Sequence, residues 1–126
     1  MNIYHPQLAA GRWQQLSLVT QLANIGSEVS RAIKWKNLSN EPFFQQAFER
    51  MLELIDLTVA DPKNRKRLKE VLRAREMLVD YLMYDNVYHS TDEQWLKYFD
   101  AFAILSNNQR RLMHELQCHD QKSPHE

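Results

Sequence analysis

Apolar residues recur at helical spacing in four successive segments of this chain. In the first segment, from Leu8 to about Lys36, successive apolar positions lie four, three, four and four residues apart, so they share one helical face. These positions are Leu18, Leu22, Ile25, Val29 and Ile33. A second face beside it contains Trp13, Leu16, Val19 and Ala23. We therefore expect helix one to contact neighbours on two sides.

Mid-way along helix one, Gly26 and Ser27 form a patch of small residues. A glycine inside a helix costs about 1 kcal/mol relative to alanine. We therefore expect a neighbouring backbone to approach this patch closely.

The second segment is bounded by prolines. Asn40 or Ser39 can cap a helix that has Pro42 in its first turn. Asp61 ends it, because a residue before proline avoids the helical region. The sequence thus predicts helix two from about Glu41 to Ala60. Helices one and two both have more apolar surface than a narrow packing seam needs, so self-association into a homo-oligomer is expected.

The third and fourth segments complete the pattern. Helix three is predicted from about Lys63 to Tyr84, and a polar connection follows. Ser90 or Thr91, followed three residues later by Glu93 or Gln94, is a capping-box pattern that starts helix four. Packed apolar residues end near Leu116. We expect one domain over residues 1–117 and a polar, disordered tail over residues 118–126.

Four helices joined by short connections predict an all-α fold, an up-down-up-down antiparallel four-helix bundle. The composition agrees, with only two glycines and four prolines in 126 residues. Cys118 is the single cysteine, so an internal disulfide is excluded. The sequence contains neither a signal-peptide pattern nor an apolar run long enough to span a bilayer. A cytoplasmic protein that does not contact membranes is expected.

Charge is segregated along the chain. Residues 63–75 contain seven Lys or Arg and one acid, Glu70, whereas the rest of the chain has nine basic and 15 acidic residues. The macrodipole opposes positive charge at the start of a helix, by a few tenths of a kcal/mol per exposed charge. A role other than helix stability is therefore indicated for this cluster.

The predicted topology brings the start of helix three to the same end as the start of helix one and the end of helix four. Arg12 and His114 then lie toward that end as well. We predict a basic pole that binds nucleic acid or a partner protein. Its residues are Arg65, Lys66, Arg67, Lys69, Arg110 and Arg111. The alternative is a solvated helix face with local ion pairs, such as Lys66 with Glu70 and Arg110 with Glu115 or Asp120.

Arg75 is expected to have a different, structural role. It lies close to the apolar face of helix three, opposite the acidic residues of helix two. Those residues are Glu49, Glu53 and Asp56. A partly buried ion pair between the two helices is the prediction, and such a pair fixes register more than it adds stability.

Motifs for catalysis are absent from the sequence. It contains no HExxH, no glycine-rich phosphate loop and no acid followed three residues later by His. His114 and Cys118, one helical turn apart, are interpreted as surface residues. We expect neither an enzyme nor a cofactor or metal site. Aromatic residues gather near the third connection, where they cap the bundle, stack on bases or anchor a partner helix; they are Tyr84, Tyr88, Trp95 and Tyr98.

Two stretches carry a family resemblance, residues 22–32 (LANIGSEVSRA) and residues 43–54 (FFQQAFERMLEL). They resemble the four-helix proteins encoded in intervening sequences of 23S ribosomal RNA, and their relatives, the accessory variability determinants of diversity-generating retroelements. Ala47, Glu53 and Leu54 fit the helix-two motif of that family, while Arg50 stands where serine is usual. The resemblance implies a ring-like homo-oligomer of four-helix protomers with a basic surface and a non-catalytic role beside RNA, DNA or a reverse transcriptase.

Two functions follow from these patterns. The first is a non-enzymatic, self-associating helical bundle whose basic pole binds nucleic acid or a nucleic-acid enzyme. The alternative is a protein–protein interaction or regulatory bundle without nucleic-acid contact, in which charge segregation serves docking.

Overall fold

A computed structural model describes residue 6 and residues 8–122, without the side chains of residues 8, 9 and 119–122. All elements in this part of the chain are helical. The four long helices are α1 (Leu18–Asn37), α2 (Glu41–Ala60), α3 (Leu68–Met83) and α4 (Asp92–Lys122). A short π-helical turn occupies Leu8–Arg12, and short 3₁₀ turns occupy Trp13–Gln15 and Pro62–Arg67. Within the described residues, no helix combines the length and apolarity needed to cross a membrane.

Side-chain caps fix where the long helices begin. The Ser17 hydroxyl accepts a hydrogen bond of 3.2 Å from a backbone N–H in the first turn of α1. Asn40 does the same for α2, at 3.1 Å. Thr91 and Gln94 form the predicted capping box, with reciprocal bonds of 3.2 and 3.1 Å between backbone N–H groups and side-chain oxygens. The predictions from Asn40 and Thr91 are confirmed.

Helix α1 is the centre of the fold. It packs most extensively against α2 and α4, and α2 also packs against α3. At one end, Ser17 donates to Gln109 Oε1 across 3.4 Å. At the other end, Asn37 donates to Asp92 Oδ2 across 3.0 Å. These contacts are compatible with the predicted up-down order of the helices.

The first predicted helix is broken, although its apolar spacing runs on without interruption. Gly11 adopts a left-handed backbone with φ of 115°, and the chain is extended at Leu16. Trp13, 1% exposed, is folded against α2, where its Nε1–H donates to Thr58 Oγ1 at 2.9 Å. The continuous helix predicted from Leu8 is therefore wrong, because one glycine and one buried indole outweigh local periodicity.

Two further boundaries differ from the sequence predictions. Residues Pro62–Arg67 form a separate 3₁₀ turn, so α3 begins at Leu68 rather than Lys63. Helix α4 continues to Lys122, beyond residue 117 where the domain was predicted to end. Residues 123–126 of the predicted tail lie outside the described part.

Most of the apolar surplus of helices one and two is covered within the chain, although Phe43 of α2 is 47% exposed. Buried residues such as Ile25, Ala32, Met51 and Ile55 come from both faces of the two helices and form one core with Trp13. Self-association stays a prediction, and α1 and α2 expose little of the apolar surface that suggested it. Instead, the largest run of exposed apolar side chains lies on α4: Ile104, Leu105, Leu112, Met113 and Leu116.

Gly26 lets α1 and α4 approach each other closely, as the small-residue patch predicts. A Cβ added at Gly26 would lie 2.6 Å from Phe99 Cβ and 3.1 Å from its Cγ. The Phe99 Cβ is attached to the α4 backbone, so the clash cannot be removed by rotating a flexible side chain. The absence of a side chain at Gly26 therefore sets the distance between these helices.

We expect Gly26→Ala to lower the free energy of unfolding by about 1–2 kcal/mol, measured by urea denaturation. Overpacking typically costs about 1–3 kcal/mol, and alanine recovers up to about 1 kcal/mol of helix propensity. Ser30→Ala, at an exposed position of the same helix, is the matched control and should leave stability the same or slightly higher. A Gly26→Ala protein as stable as the control would contradict the close approach.

Candidate functional site

A buried polar network lies beneath the first residues of the basic pole. Gln21 is fully buried, and its Nε2 donates to Asp61 Oδ2 at 2.8 Å and to the Trp13 carbonyl at 3.0 Å. Asn64 Nδ2 donates to Gln21 Oε1 at 2.8 Å and to the Thr58 carbonyl at 3.0 Å. The network thereby joins the N-terminal turn, α1, the end of α2 and the 3₁₀ turn.

Lys63 closes this network at the surface. Its Nζ contacts the Asp61 carboxylate and donates to the Gln14 carbonyl at 3.1 Å, and its backbone N–H donates to Asp61 Oδ1 at 3.2 Å. Burial alone would raise the pKa of Asp61, but the hydrogen bonds from Lys63 and Gln21 outweigh burial and hold that pKa below its usual value. Asp61 is therefore a carboxylate that anchors the 3₁₀ turn.

Three residues of the basic pole are exposed and have no acidic partner. Arg65 and Lys66 lie on the 3₁₀ turn and Lys69 lies in the first turn of α3. Among the described residues, no carboxylate is within ion-pair distance of these three side chains. The predicted Lys66–Glu70 pair is thus not formed.

Arg67 is engaged with Glu70 instead. Its Nε donates to Glu70 Oε2 at 2.7 Å, and Tyr98 of α4 donates to the other carboxylate oxygen at 3.2 Å. Arg67 is therefore already paired, as Lys63 is with Asp61.

Arg110 and Arg111 are both exposed on α4, just beyond the Ser17–Gln109 contact. Arg111 donates to Asn108 at 3.2 Å. The predicted Arg110–Glu115 ion pair is not found in the part of the chain that the structure describes. Since Gln109 contacts the start of α1 and Lys63 contacts Gln14, both basic segments lie at the end of the fold where α1 begins.

The remaining arginines of the cluster contact other side chains. Arg75 Nε donates to Asp56 Oδ1 at 3.0 Å, which is the predicted pairing between helices two and three. The pair is exposed rather than partly buried, with Asp56 57% exposed. Exposed pairs contribute about 0–1 kcal/mol. The Arg73 guanidinium lies over the Tyr88 ring, 5.7 Å from its centroid.

Between α3 and α4 lies a groove of about 480 Å³, which we call the aromatic groove. It is lined by Glu70, Arg73, Ala74, Met77, Tyr88, His89, Ser90, Gln94, Trp95 and Tyr98. Trp95 is 6% exposed, and its Nε1–H is buried without a hydrogen-bond acceptor. Burial, followed by the Glu70 carboxylate, raises the pKa of Tyr98 to about 12, so its hydroxyl stays neutral at physiological pH. Three of the four aromatics singled out in the sequence therefore line a groove.

Tyr84, the fourth of these aromatics, is 73% exposed and lies outside the groove. The connection that carries Tyr88 is held by the Asp80 carboxylate, which accepts backbone N–H bonds from Val87 at 3.0 Å and from Tyr88 at 3.2 Å. The Tyr88 hydroxyl donates to Glu76 Oε1 at 2.8 Å. Tyr88 is therefore fixed in position at the groove.

Metal-ligating side chains do not cluster in the described residues, where no group of three or more His, Cys, Asp or Glu could hold an ion. His114 Nε2 and Cys118 Sγ are 3.5 Å apart on α4, one helical turn from each other as predicted.

A scan of protein-family models, a search of curated proteins and a search of solved structures found no match to the chain. The resemblance to the intervening-sequence and accessory-determinant proteins stays a prediction.

Sequence reasoning missed Gln21 and Asn64, which position the 3₁₀ turn. Gln21 occupies a core position of α1, but because it is polar, it was not among the apolar residues from which the buried face was predicted. The signal available in the sequence was that Gln21, although polar, is adjacent to Leu22 and lies on the inward-facing side of α1.

We expect Asp61→Asn to lower the free energy of unfolding by about 1–3 kcal/mol at pH 7, since hydrogen bonds to charged groups are worth about that much. Because the folded-state pKa lies below the ordinary 3.8, the carboxylate stabilises the fold above that pH and loses its contribution as pH falls through the folded pKa. The difference between wild type and variant should shrink below pH 3.8 in chemical denaturation. Asp56→Asn is the exposed control, with an expected cost within about 1 kcal/mol.

Proposed function

We propose that this chain is a non-enzymatic, up-down-up-down antiparallel four-helix bundle that binds nucleic acid through the basic pole and associates with a second copy of itself. The proposal of no catalysis rests on the absence of catalytic motifs from the sequence. A bundle that binds only proteins is the alternative, and the salt dependence of binding distinguishes the two.

The observation that supports nucleic-acid binding is the state of Arg65, Lys66 and Lys69. All three are exposed cations that have no acidic partner among the residues described by the structure. The turn beneath them is anchored by Asp61 and Asn64, both buried. Phosphates can therefore bind these side chains without first breaking ion pairs, and without ordering the backbone that presents them.

The distribution of charge agrees with this proposal. The chain is neutral overall, yet seven of its 16 basic residues lie in positions 63–75. Arg110 and Arg111 of α4 add two positive charges at the same end of the fold. A surface of this kind attracts a polyanion locally, whereas the rest of the chain is acidic and repels it. Binding should therefore be confined to one end of the molecule.

Self-association is proposed through α4. Leu105, Leu112 and Leu116 are 49%, 58% and 54% exposed. Their spacing of seven and four residues places them along one side of the helix and continues the positions of Tyr98 and Phe102. If a second copy packs antiparallel along this row, Leu105 of each chain lies opposite Leu116 of the other. The row is therefore self-complementary. We call these three leucines the α4 row.

The charge-reversal variant Lys66→Glu/Lys69→Glu should lose most of its affinity for duplex DNA and structured RNA. Each lost phosphate contact lowers the slope of log K against log salt by about 1. The slope for the variant should therefore be smaller by about 2 in fluorescence-anisotropy titrations at several salt concentrations.

The matched control is Lys34→Glu/Lys97→Glu, which changes the net charge equally at exposed sites outside the basic pole. It should retain most of the binding. Equal losses in both variants would mean that only net charge matters, and no binding by the folded wild-type protein at low salt would reject nucleic-acid binding in favour of the protein-interaction alternative.

Leu112→Gln/Leu116→Gln should shift the protein toward monomers of 15.1 kDa, measured by light scattering over a range of concentrations. Both leucines are more than half exposed, so folding should be unaffected. The control Leu38→Gln/Val87→Gln changes two equally exposed apolar residues outside α4 and should leave the oligomer unchanged. A wild-type protein that is monomeric at all concentrations would contradict this proposal.

A further inference from the structure

The aromatic groove adjoins the unpaired cations of the basic pole. Lys66, Lys69 and Arg73 follow one another at spacings of three and four residues, so they lie along one side of the 3₁₀ turn and α3. Arg73 itself lines the groove, where its guanidinium lies over Tyr88. A row of positive charge therefore leads from the end of the fold into the groove.

The walls of the groove suit a planar aromatic group. Tyr88, Trp95 and Tyr98 line it together with the apolar side chains of Ala74 and Met77. Tyr88 is 38% exposed, and its hydroxyl bond to Glu76 restricts motion of the ring. A fixed, partly exposed ring loses little entropy when a base stacks on it.

Trp95 lines the groove and also a second cavity between α1 and α4. The Trp95 Nε1–H has no acceptor in the described structure, although a buried N–H normally finds one. The Trp95 ring nevertheless lines the groove, so its indole resonance reports on a base that stacks there.

The position of Glu70 limits the charge of the ligand. Glu70 lines the groove, and its carboxylate already accepts from Arg67 and Tyr98. An anionic group deep in the groove would be repelled by this carboxylate. A neutral ring inside the groove, with its phosphates outside on the lysines, avoids that repulsion.

We propose that the aromatic groove binds an unpaired nucleobase of a single strand, while Lys66, Lys69 and Arg73 contact the adjoining phosphates. This proposal rests on the nucleic-acid binding proposed above and adds a substrate class to it: strands with exposed bases should bind more tightly than duplexes of the same sequence. Stacking within the groove is the source of the preference.

The test compares a single-stranded oligonucleotide, its duplex and an abasic strand of equal length for binding to the wild-type protein and to Tyr88→Ala. Removing a stacking ring should weaken single-strand binding by about 10- to 100-fold and leave duplex binding nearly unchanged. Tyr84→Ala, an exposed tyrosine on the same connection but outside the groove, is the matched control and should bind like wild type.

A second readout follows the Trp95 indole N–H by two-dimensional NMR, with Trp95→Phe used only to assign its resonance. The resonance should shift when the base-containing strand is added and should not shift with the abasic strand. This measurement does not require the Tyr88→Ala protein to be folded.

The outcomes separate this proposal from the more general one. If the abasic strand binds as tightly as the base-containing strand, or if the Trp95 resonance does not respond, base binding in the groove is rejected while phosphate binding stands. If neither strand nor duplex binds the wild-type protein at low salt, both proposals fail.

Discussion

The hydrogen bond between Gln21 and Asp61 is the interaction on which the end of the fold that carries the basic pole depends. It connects the first turns of α1 to the junction after α2, and the same carboxylate holds Lys63. Without it, a buried carboxylate and a buried amide would both lose partners, at a cost of about 1–3 kcal/mol each. The exposed cations that follow would then lie on a turn held only by the contacts of Lys63 and Asn64. A buried polar network thus supports a charged, exposed surface.

The helices themselves could largely be predicted from sequence, because caps, prolines and apolar spacing act locally. The bounds of α2, the cap at Asn40, the capping box at Thr91 and the close approach at Gly26 were all visible in the residues. Each depends on the stereochemistry of a few neighbouring positions, so a single sequence is enough.

What could not be predicted depends on contacts between residues far apart in the chain. The break before α1 follows from Trp13 reaching Thr58, 45 residues away, and the 3₁₀ turn follows from Asn64 reaching Gln21. The spacing of apolar residues along the chain carries no information about such distant contacts. The exposure of the cations in the basic pole could be anticipated from the sequence. The partner of Glu70 could not, because Glu70 pairs with Arg67 rather than with Lys66.

Under the proposed binding and self-association, the continuation of α4 past Gln109 would affect the affinity for a long strand. At 1.5 Å per residue, the part from Gln109 to Lys122 extends roughly 20 Å beyond the contact with Ser17. Two chains joined along this part would each carry a basic pole on a stiff connection. A strand long enough to reach both poles would bind the second one intramolecularly, at an effective concentration set by the helix rather than by the solution. The affinity of such a dimer would depend on the length of the strand as well as on its charge. Oligonucleotides too short to reach both poles would gain none of this avidity.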